Sequence, residues 1–288
     1  MLKKILANND ILTKVTGKAL QSLYGRDEKL HPILRRILLF LPENFGHMAK
    51  LKFITDILPV FDPKKTNYSV IPINKNIEGA ENIALPIEII DTLIDRSNTQ
   101  VLMKKCLCRH NYDCKNYPDD VACLFLGESA LETPANWQVR VNREEAKNHA
   151  RKAISLGLVP MVGKIRFDSD TMGIKDRGKL LTICFCCECC CIGRFLAPIP
   201  SPILDTLQHP VEGLSIEISD ACIGCGECVD RCYLKAIQII NGRAVRSDSC
   251  RICGRCAAVC KQNAIHIRLN NPDAVKDVVE RILSIVDI

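Results

Sequence analysis

The sequence predicts an α+β fold with a helical N-terminal region, a cysteine-rich α+β middle and a small two-fold repeated C-terminal unit. Three observations carry this. The first 60 residues or so hold no cysteine and read with helical periodicity. Residues 73–195 alternate helical and extended patterns. Residues 222–239, CIGCGECVDRCYLKAIQI, align without a gap on residues 250–267, CRICGRCAAVCKQNAIHI. The expected domains are 1–72, 73–195 and 196–288.

In the first region, Ile33, Leu34, Ile37, Leu38 and Leu41 share one helical face, with Arg35 and Arg36 turned away. Pro59, Pro63 and Pro72 then punctuate a stretch that reads as a linker or long loop. In the middle region, PIEIIDTLIDRS (86–97) reads as a helix with Pro86 in its first turn. VLMKKCLC (101–108), LVPMVGKIRF (158–167) and GKLLTICF (178–185) read as strands. NREEAKNHARKAISLG opens on Asn142 with Glu145 three residues later, a capping-box spacing, and stops at Gly157. Four prolines between Pro198 and Pro210 read as irregular chain and a boundary. NPDAVKDVVERILSIVDI closes the sequence as a helix expected to be capped by Asn271, with Val275, Val278, Val279, Ile282 and Val286 on one apolar stripe.

Eighteen cysteines in 288 residues is a high count for a chain long enough to bury a core without disulfides. Asn8, Asn9 and Asp10 interrupt the only N-terminal stretch that resembles an export signal, so a cytoplasmic location is expected, where thiols stay reduced and clustered cysteines point to metal. The longest apolar runs, such as ILLFL at 37–41, are too short for a membrane span. The formal charge of +6 does not point to nucleic acid, since aromatics are sparse and no basic tract interleaves with them. Each four-iron cubane held by four thiolates carries about −2, so bound clusters balance such an excess.

The two repeats each read C-x₂-C-x₂-C-x₃-C: Cys222, Cys225, Cys228 and Cys232, then Cys250, Cys253, Cys256 and Cys260. Three closely spaced cysteines wrap a loop around one cubane, and the fourth leads away to the neighbouring cluster. This pattern resembles the bacterial-type two-cluster ferredoxin over roughly residues 213–270. The resemblance implies one [4Fe-4S] cluster on Cys222, Cys225, Cys228 and Cys260, and a second on Cys250, Cys253, Cys256 and Cys232. Asn241–Gly242 between the repeats is a two-residue hairpin signal, as that pseudo-symmetric fold requires. The sequence departs from the family at Tyr233 and Lys261, where proline usually follows the fourth cysteine.

The other ten cysteines fall in two blocks of the middle region. Cys106, Cys108, Cys114 and Cys123 make C-x-C-x₅-C-x₈-C, and TICFCCECCCIGR carries Cys184, Cys186, Cys187, Cys189, Cys190 and Cys191 within eight positions. If that stretch stays extended, Cys184, Cys186 and Cys190 face one way and Cys187, Cys189 and Cys191 the other, so one strand bridges two metal centres. Four arrangements fit: two further cubanes, one cubane with a zinc or vacant site, a non-cubane iron–sulfur centre, or ligand-free thiols. Arg109 and His110 are candidates to hydrogen-bond a cluster sulfur, with solvated side chains as the alternative. Glu188, lodged between cysteines, must face solvent, pair with Arg194 or take up protons.

The paired cysteines resemble, weakly, the Cys-Cys-Gly boxes of the catalytic subunit of heterodisulfide reductase, although Glu188 and Ile192 stand where glycine would. The combination CLCR…C..YP…CLFLG, a CC-x-CCC box and a ferredoxin tail is more similar to multi-cluster iron–sulfur ferredoxin-like proteins of anaerobes, over most of residues 80–268. That likeness implies an electron-transfer protein working with a redox partner or inside an oxidoreductase complex. No glycine-rich phosphate loop or nucleophile–histidine spacing is present to name a substrate. The alternative is a redox enzyme whose middle-domain centre reduces a substrate such as a disulfide.

Overall fold

The computed structural model describes residue 47 and residues 61–73, 77–79, 85–175 and 177–288. The amphipathic helix expected around residues 33–41 lies outside the described residues. The described chain is α+β, as the sequence predicts.

In chain order the elements are β1 (Asn67–Val70), α1 (Leu85–Arg96), β2 (Gln100–Met103), α2 (Leu107–Asn111), β3 (Leu124–Leu126), β4 (Gln138–Arg140), α3 (Arg143–Ser155), β5 (Val159–Lys164), α4 (Arg166–Met172) and β6 (Leu181–Cys186). They continue with α5 (Ser201–Leu207), β7 (Gln208–His209), β8 (Leu214–Ile218), α6 (Glu227–Asp230), β9 (Ile237–Ile240), β10 (Arg243–Arg246), α7 (Arg255–Val259), β11 (Ile265–Leu269) and α8 (Ala274–Leu283). Short 3₁₀ turns span Glu128–Glu132 and Ile192–Leu196.

A seven-stranded sheet runs in the order β4-β2-β3-β6-β5-β1-β7. All its pairings are antiparallel except β1 with β7. Two of its strands lie outside the span 73–195. β1 falls where proline spacing suggested a linker, and its Asn67–Val70 backbone pairs with Met161–Lys164 of β5. At this contact Gly163 is required: a Cβ there would sit 2.3 Å from the Asn67 carbonyl oxygen. The proline-rich segment after residue 198 likewise contains helix α5, because Pro202 sits in its first turn, where its missing N–H costs nothing.

Helices α1 and α3 pack against one another, α3 lies against β5 and β6, and α8 packs on α1 and β1. The Asn142–Glu145 capping box forms as expected, both bonds closing at 2.8–2.9 Å. Gly157 follows the end of α3 at φ 78°, a left-handed stop. Helix α8 departs from expectation at its start: Asp273 is the capping position, and Asn271 accepts from its N–H at 3.0 Å instead.

Between Val211 and Leu269 the chain folds into two small sheets, β8 with β11 and the hairpin β9–β10. Asn241 and Gly242 turn that hairpin, both with positive φ. Residues of this unit, including Tyr233, Leu234 and Ile265, belong to the same continuous apolar cluster as α1, β5, β6 and α8.

Candidate metal centres

Strand alternation places Cys184 and Cys186 on one face of β6 and Phe185 on the other, where its ring meets His149 of α3 edge-on at 5.7 Å. Cys184 pairs across the sheet with Met161. Met161, Cys184 and Cys186 line a cavity of about 430 Å³.

Six thiols form a closed ring at this cavity. Cys106 stands beside Cys108 and Cys123. Cys123 lies 3.3 Å from Cys184. Cys184 reaches Cys186, Cys186 reaches Cys191, and Cys191 reaches Cys108. The strand expected over 101–108 ends at Met103, so Cys106 becomes the capping residue of α2 and Cys108 lies in its first turn, with both sulfurs turned to the ring. The flanking thiols Cys108 and Cys123 hold Cys106 well below the ordinary thiol range and Cys184 and Cys191 lower Cys186, whereas Cys108, Cys123, Cys184 and Cys191 are themselves raised well above it by adjoining thiols and by burial. Six buried thiols this close cannot all ionise without a cation among them, and a multivalent cation suits such a group.

The remaining four, Cys114, Cys187, Cys189 and Cys190, make a second group whose Sγ atoms all lie within 4.8 Å of one another. Cys114 stands 3.6 Å from Cys189. Strict alternation would have paired Cys190 with Cys184 and Cys186, and Cys191 with Cys187 and Cys189. Instead β6 ends at Cys186 and residues 188–190 turn, which sends Cys190 to the compact group and Cys191 to the ring. One stretch thus serves two thiol groups, with these two members exchanged.

Arg109 lies buried between the groups. It donates to the carbonyls of Pro118 (2.9 Å), Phe185 (2.8 Å) and Val121. Burial disfavours its charge, but the thiols of Cys106, Cys187, Cys123 and Cys186 outweigh this and raise its pKa further. His110 pairs through Nδ1 with Asp119 at 2.7 Å. Arg194 does not meet Glu188. It donates to the Cys189 carbonyl at 2.7 Å and stacks over Tyr112 and Phe195. Glu188 is instead held by Arg231 at 2.6 Å, the Tyr117 hydroxyl at 3.1 Å and Arg255 at 3.6 Å.

In the C-terminal unit the two repeats adopt one backbone conformation twice. Gly226 and Gly254 both sit at φ 85°, Lys235 and Asn263 at 52° and 48°, and Gly224 and Ile252 at 68° and 48°. The fourth cysteines match too: Ala236 N–H donates to Cys232 Sγ at 3.2 Å, and Ala264 N–H to Cys260 Sγ at 3.3 Å. Tyr233, standing where proline was expected, is buried, and its hydroxyl accepts from Gln208 of β7 at 2.8 Å. Among functional contacts, Arg231, Arg255 and Tyr117 carried no sequence signal, since a charged or phenolic side chain near a loop reads as solvated.

Among the described residues no helix is long and apolar enough to cross a membrane. No family model and no solved structure matches the chain. It is similar to Ferredoxin-2 of Desulfomicrobium norvegicum, with 59% identity over 27 residues, which is 9% of this chain and 46% of that protein. The chain therefore spans less than half the length of that relative. This match and the grouped thiols support a ferredoxin-like iron–sulfur protein.

Proposed function

We propose that the chain is a multi-cluster iron–sulfur electron carrier or wiring subunit, active in the cytoplasm of an anaerobic cell. Its residues 196–288 would form a two-cluster [4Fe-4S] ferredoxin domain. The observation that carries this reading is the duplicated backbone of the cysteine loops, with matching positive φ values at positions 28 residues apart and an amide donated to each fourth sulfur. Such N–H···S bonds stabilise the anionic thiolates that ligate a cluster. Cys222, Cys225, Cys228 and Cys260 would hold one cluster; Cys250, Cys253, Cys256 and Cys232 would hold the other. Bound clusters supply one-electron storage. The middle domain, residues 73–195, would hold further iron–sulfur chemistry on the ring.

The proximity of the two units supports transfer between them. Ile73 N–H donates to the Cys253 carbonyl at 3.2 Å, and Arg255 spans from the Cys253 loop to Cys186. Electrons would leave to a redox partner protein or oxidoreductase complex. Iron and acid-labile sulfide analysis of the anaerobically prepared chain, with low-temperature EPR, tests this reading: two interacting cubane signals from the C-terminal eight cysteines are expected, and zinc without sulfide there would end it.

A second reading has one specific support. The ring has six thiols, two more than a cubane takes, and its cavity is also bordered by Met103, Leu107, Ile165, Phe167, Met172 and Phe195. A non-cubane centre in an apolar pocket suits reduction of a substrate disulfide, in which two electrons and two protons convert one disulfide to two thiols. An EPR signal from the ring that changes on adding an organic disulfide would favour this enzyme over the pure carrier.

A further inference from the structure

We infer that Cys114, Cys187, Cys189 and Cys190 hold a single thiophilic divalent ion, zinc or ferrous iron, in a sulfide-free tetrahedral site that fastens the loop after α2 to the turn after β6.

The spacing of the sulfurs carries this. All four Sγ atoms lie within 4.8 Å of one another, and Cys114 is 3.6 Å from Cys189. A metal–thiolate bond of about 2.3 Å sets tetrahedral sulfurs about 3.8 Å apart. A cubane places four irons and four sulfides between its thiolates and spreads them to about 6 Å or more. The compact group has room for the first arrangement.

Local backbone supports it independently. Cys187 and Cys190 stand in C-x₂-C spacing, and the Cys190 N–H donates to Cys187 Sγ at 3.3 Å. Spacing of this kind supplies two of the four ligands in structural zinc sites. Four thiolates on a divalent ion leave a net charge of about −2. Arg109, in electrostatic contact with Cys187, and Arg194, on the Cys189 carbonyl, stand beside it. Glu188 lies inside the ligand run yet is drawn to Arg231, Tyr117 and Arg255, so its charge is matched elsewhere.

The site joins residues 75 apart in sequence. The ion would tie these two segments together, while the ring keeps its own six thiols. This inference stands apart from the electron-carrier reading, since it concerns an ion without sulfide.

The test uses the full chain prepared without oxygen, with metals, acid-labile sulfide and EPR measured on wild type and Cys114→Ser/Cys190→Ser. The variant is expected to lose one metal ion per chain while its sulfide content and cluster EPR signals stay unchanged. Loss of several irons with an equal number of sulfides would overturn the inference, as would no metal loss. If the double variant fails to fold, cobalt(II) supplied to the wild-type chain decides. Thiolate-to-cobalt charge-transfer bands with tetrahedral d–d bands are expected, and their absence overturns the site. One zinc per chain by metal analysis, against one iron in excess of sulfide that gives a high-spin ferric signal on oxidation, identifies the ion.

Discussion

The guanidinium of Arg255 donates a hydrogen bond to the backbone carbonyl of Cys186, linking the second cysteine loop of the C-terminal unit to the end of β6. The side chain is buried, two positions after Cys253 in the sequence, and 3.6 Å from the carboxylate of Glu188. Burial opposes its charge, while the neighbouring Cys253 thiol and Glu188 raise its pKa. Like Arg231, it is a cation of the C-terminal unit that reaches the cysteine run of the middle unit.

Arg255→Met should therefore destabilise the protein beyond the loss of packing, because Glu188 and the Cys186 carbonyl lose a buried partner. Removing one member of a buried pair costs about 3 kcal/mol. For a chain of this size that is a fall in Tm of roughly 6–12 °C, at about 2–4 °C per kcal/mol. Adding Glu188→Gln to the variant should recover part of the loss, since the carboxylate left short of partners is gone. Anaerobic thermal melts of the two single variants and the double variant measure the coupling.

His149 supplies a pH dependence through a group that is not itself a thiol. Its Nε2 donates to the Ala122 carbonyl at 2.8 Å, and burial lowers its pKa below the usual imidazole value, only partly offset by that bond. The unfolded chain takes up a proton near pH 6.5 that the folded chain refuses. Stability contributed by the neutral ring is thus present above about pH 6.5 and falls as pH drops below it. His149→Gln should flatten the Tm profile between pH 5.5 and roughly 7.5, a window chosen around the reference value. A wild-type Tm that rises on acidification would contradict the assignment.

The fold class and the repeats were legible because both are local. A capping box at Asn142, a hairpin at Asn241–Gly242 and a 28-residue cysteine period each announce themselves within a few residues. What the sequence hid depends on pairing at a distance. NYSV has no alternation to mark it as β1, and it becomes a strand only because β5 offers an edge whose Gly163 admits its backbone. The division of ten thiols into six and four turns on the bend at 188–190, and alternation holds only up to Cys186. The buried arginines Arg109 and Arg255 were hidden for a related reason: each is buried by segments distant in sequence.

Cys232→Ser tests whether ligands cross between the repeats. Cys232 follows the first loop, yet its expected cluster is the one on Cys250, Cys253 and Cys256. The Cys250 and Cys256 thiols are both raised by burial first and by the charge of Cys232 among the next causes, so Cys232 acts on the second loop. The variant should lose about four irons, with the EPR signal of the Cys222–Cys228 loop retained. Cys260→Ser should do the converse. Loss of the same signal in both variants would show that the fourth cysteines do not cross.

Cys186 and Cys187 are adjacent in the sequence and belong to different thiol groups: Cys186 to the ring with Cys184 and Cys191, Cys187 to the compact group with Cys114, Cys189 and Cys190. Two double serine variants separate the groups. Cys184→Ser/Cys186→Ser removes two neighbours of the ring and none of the compact group, so it should lose only the ring's metal. Cys186→Ser/Cys187→Ser takes one thiol from each and should degrade both. The outcome follows from one geometric fact, that residues i and i+2 of a strand share a face while i and i+1 do not. Had the whole stretch stayed extended, Cys190 would follow the ring; with the turn at 188–190 it follows Cys187, so Cys189→Ser/Cys190→Ser should leave the ring's metal in place. Metal analysis and low-temperature EPR of the three variants decide. Identical losses in all of them would mean that the ten thiols serve one centre, against the separation of the ring from the compact group.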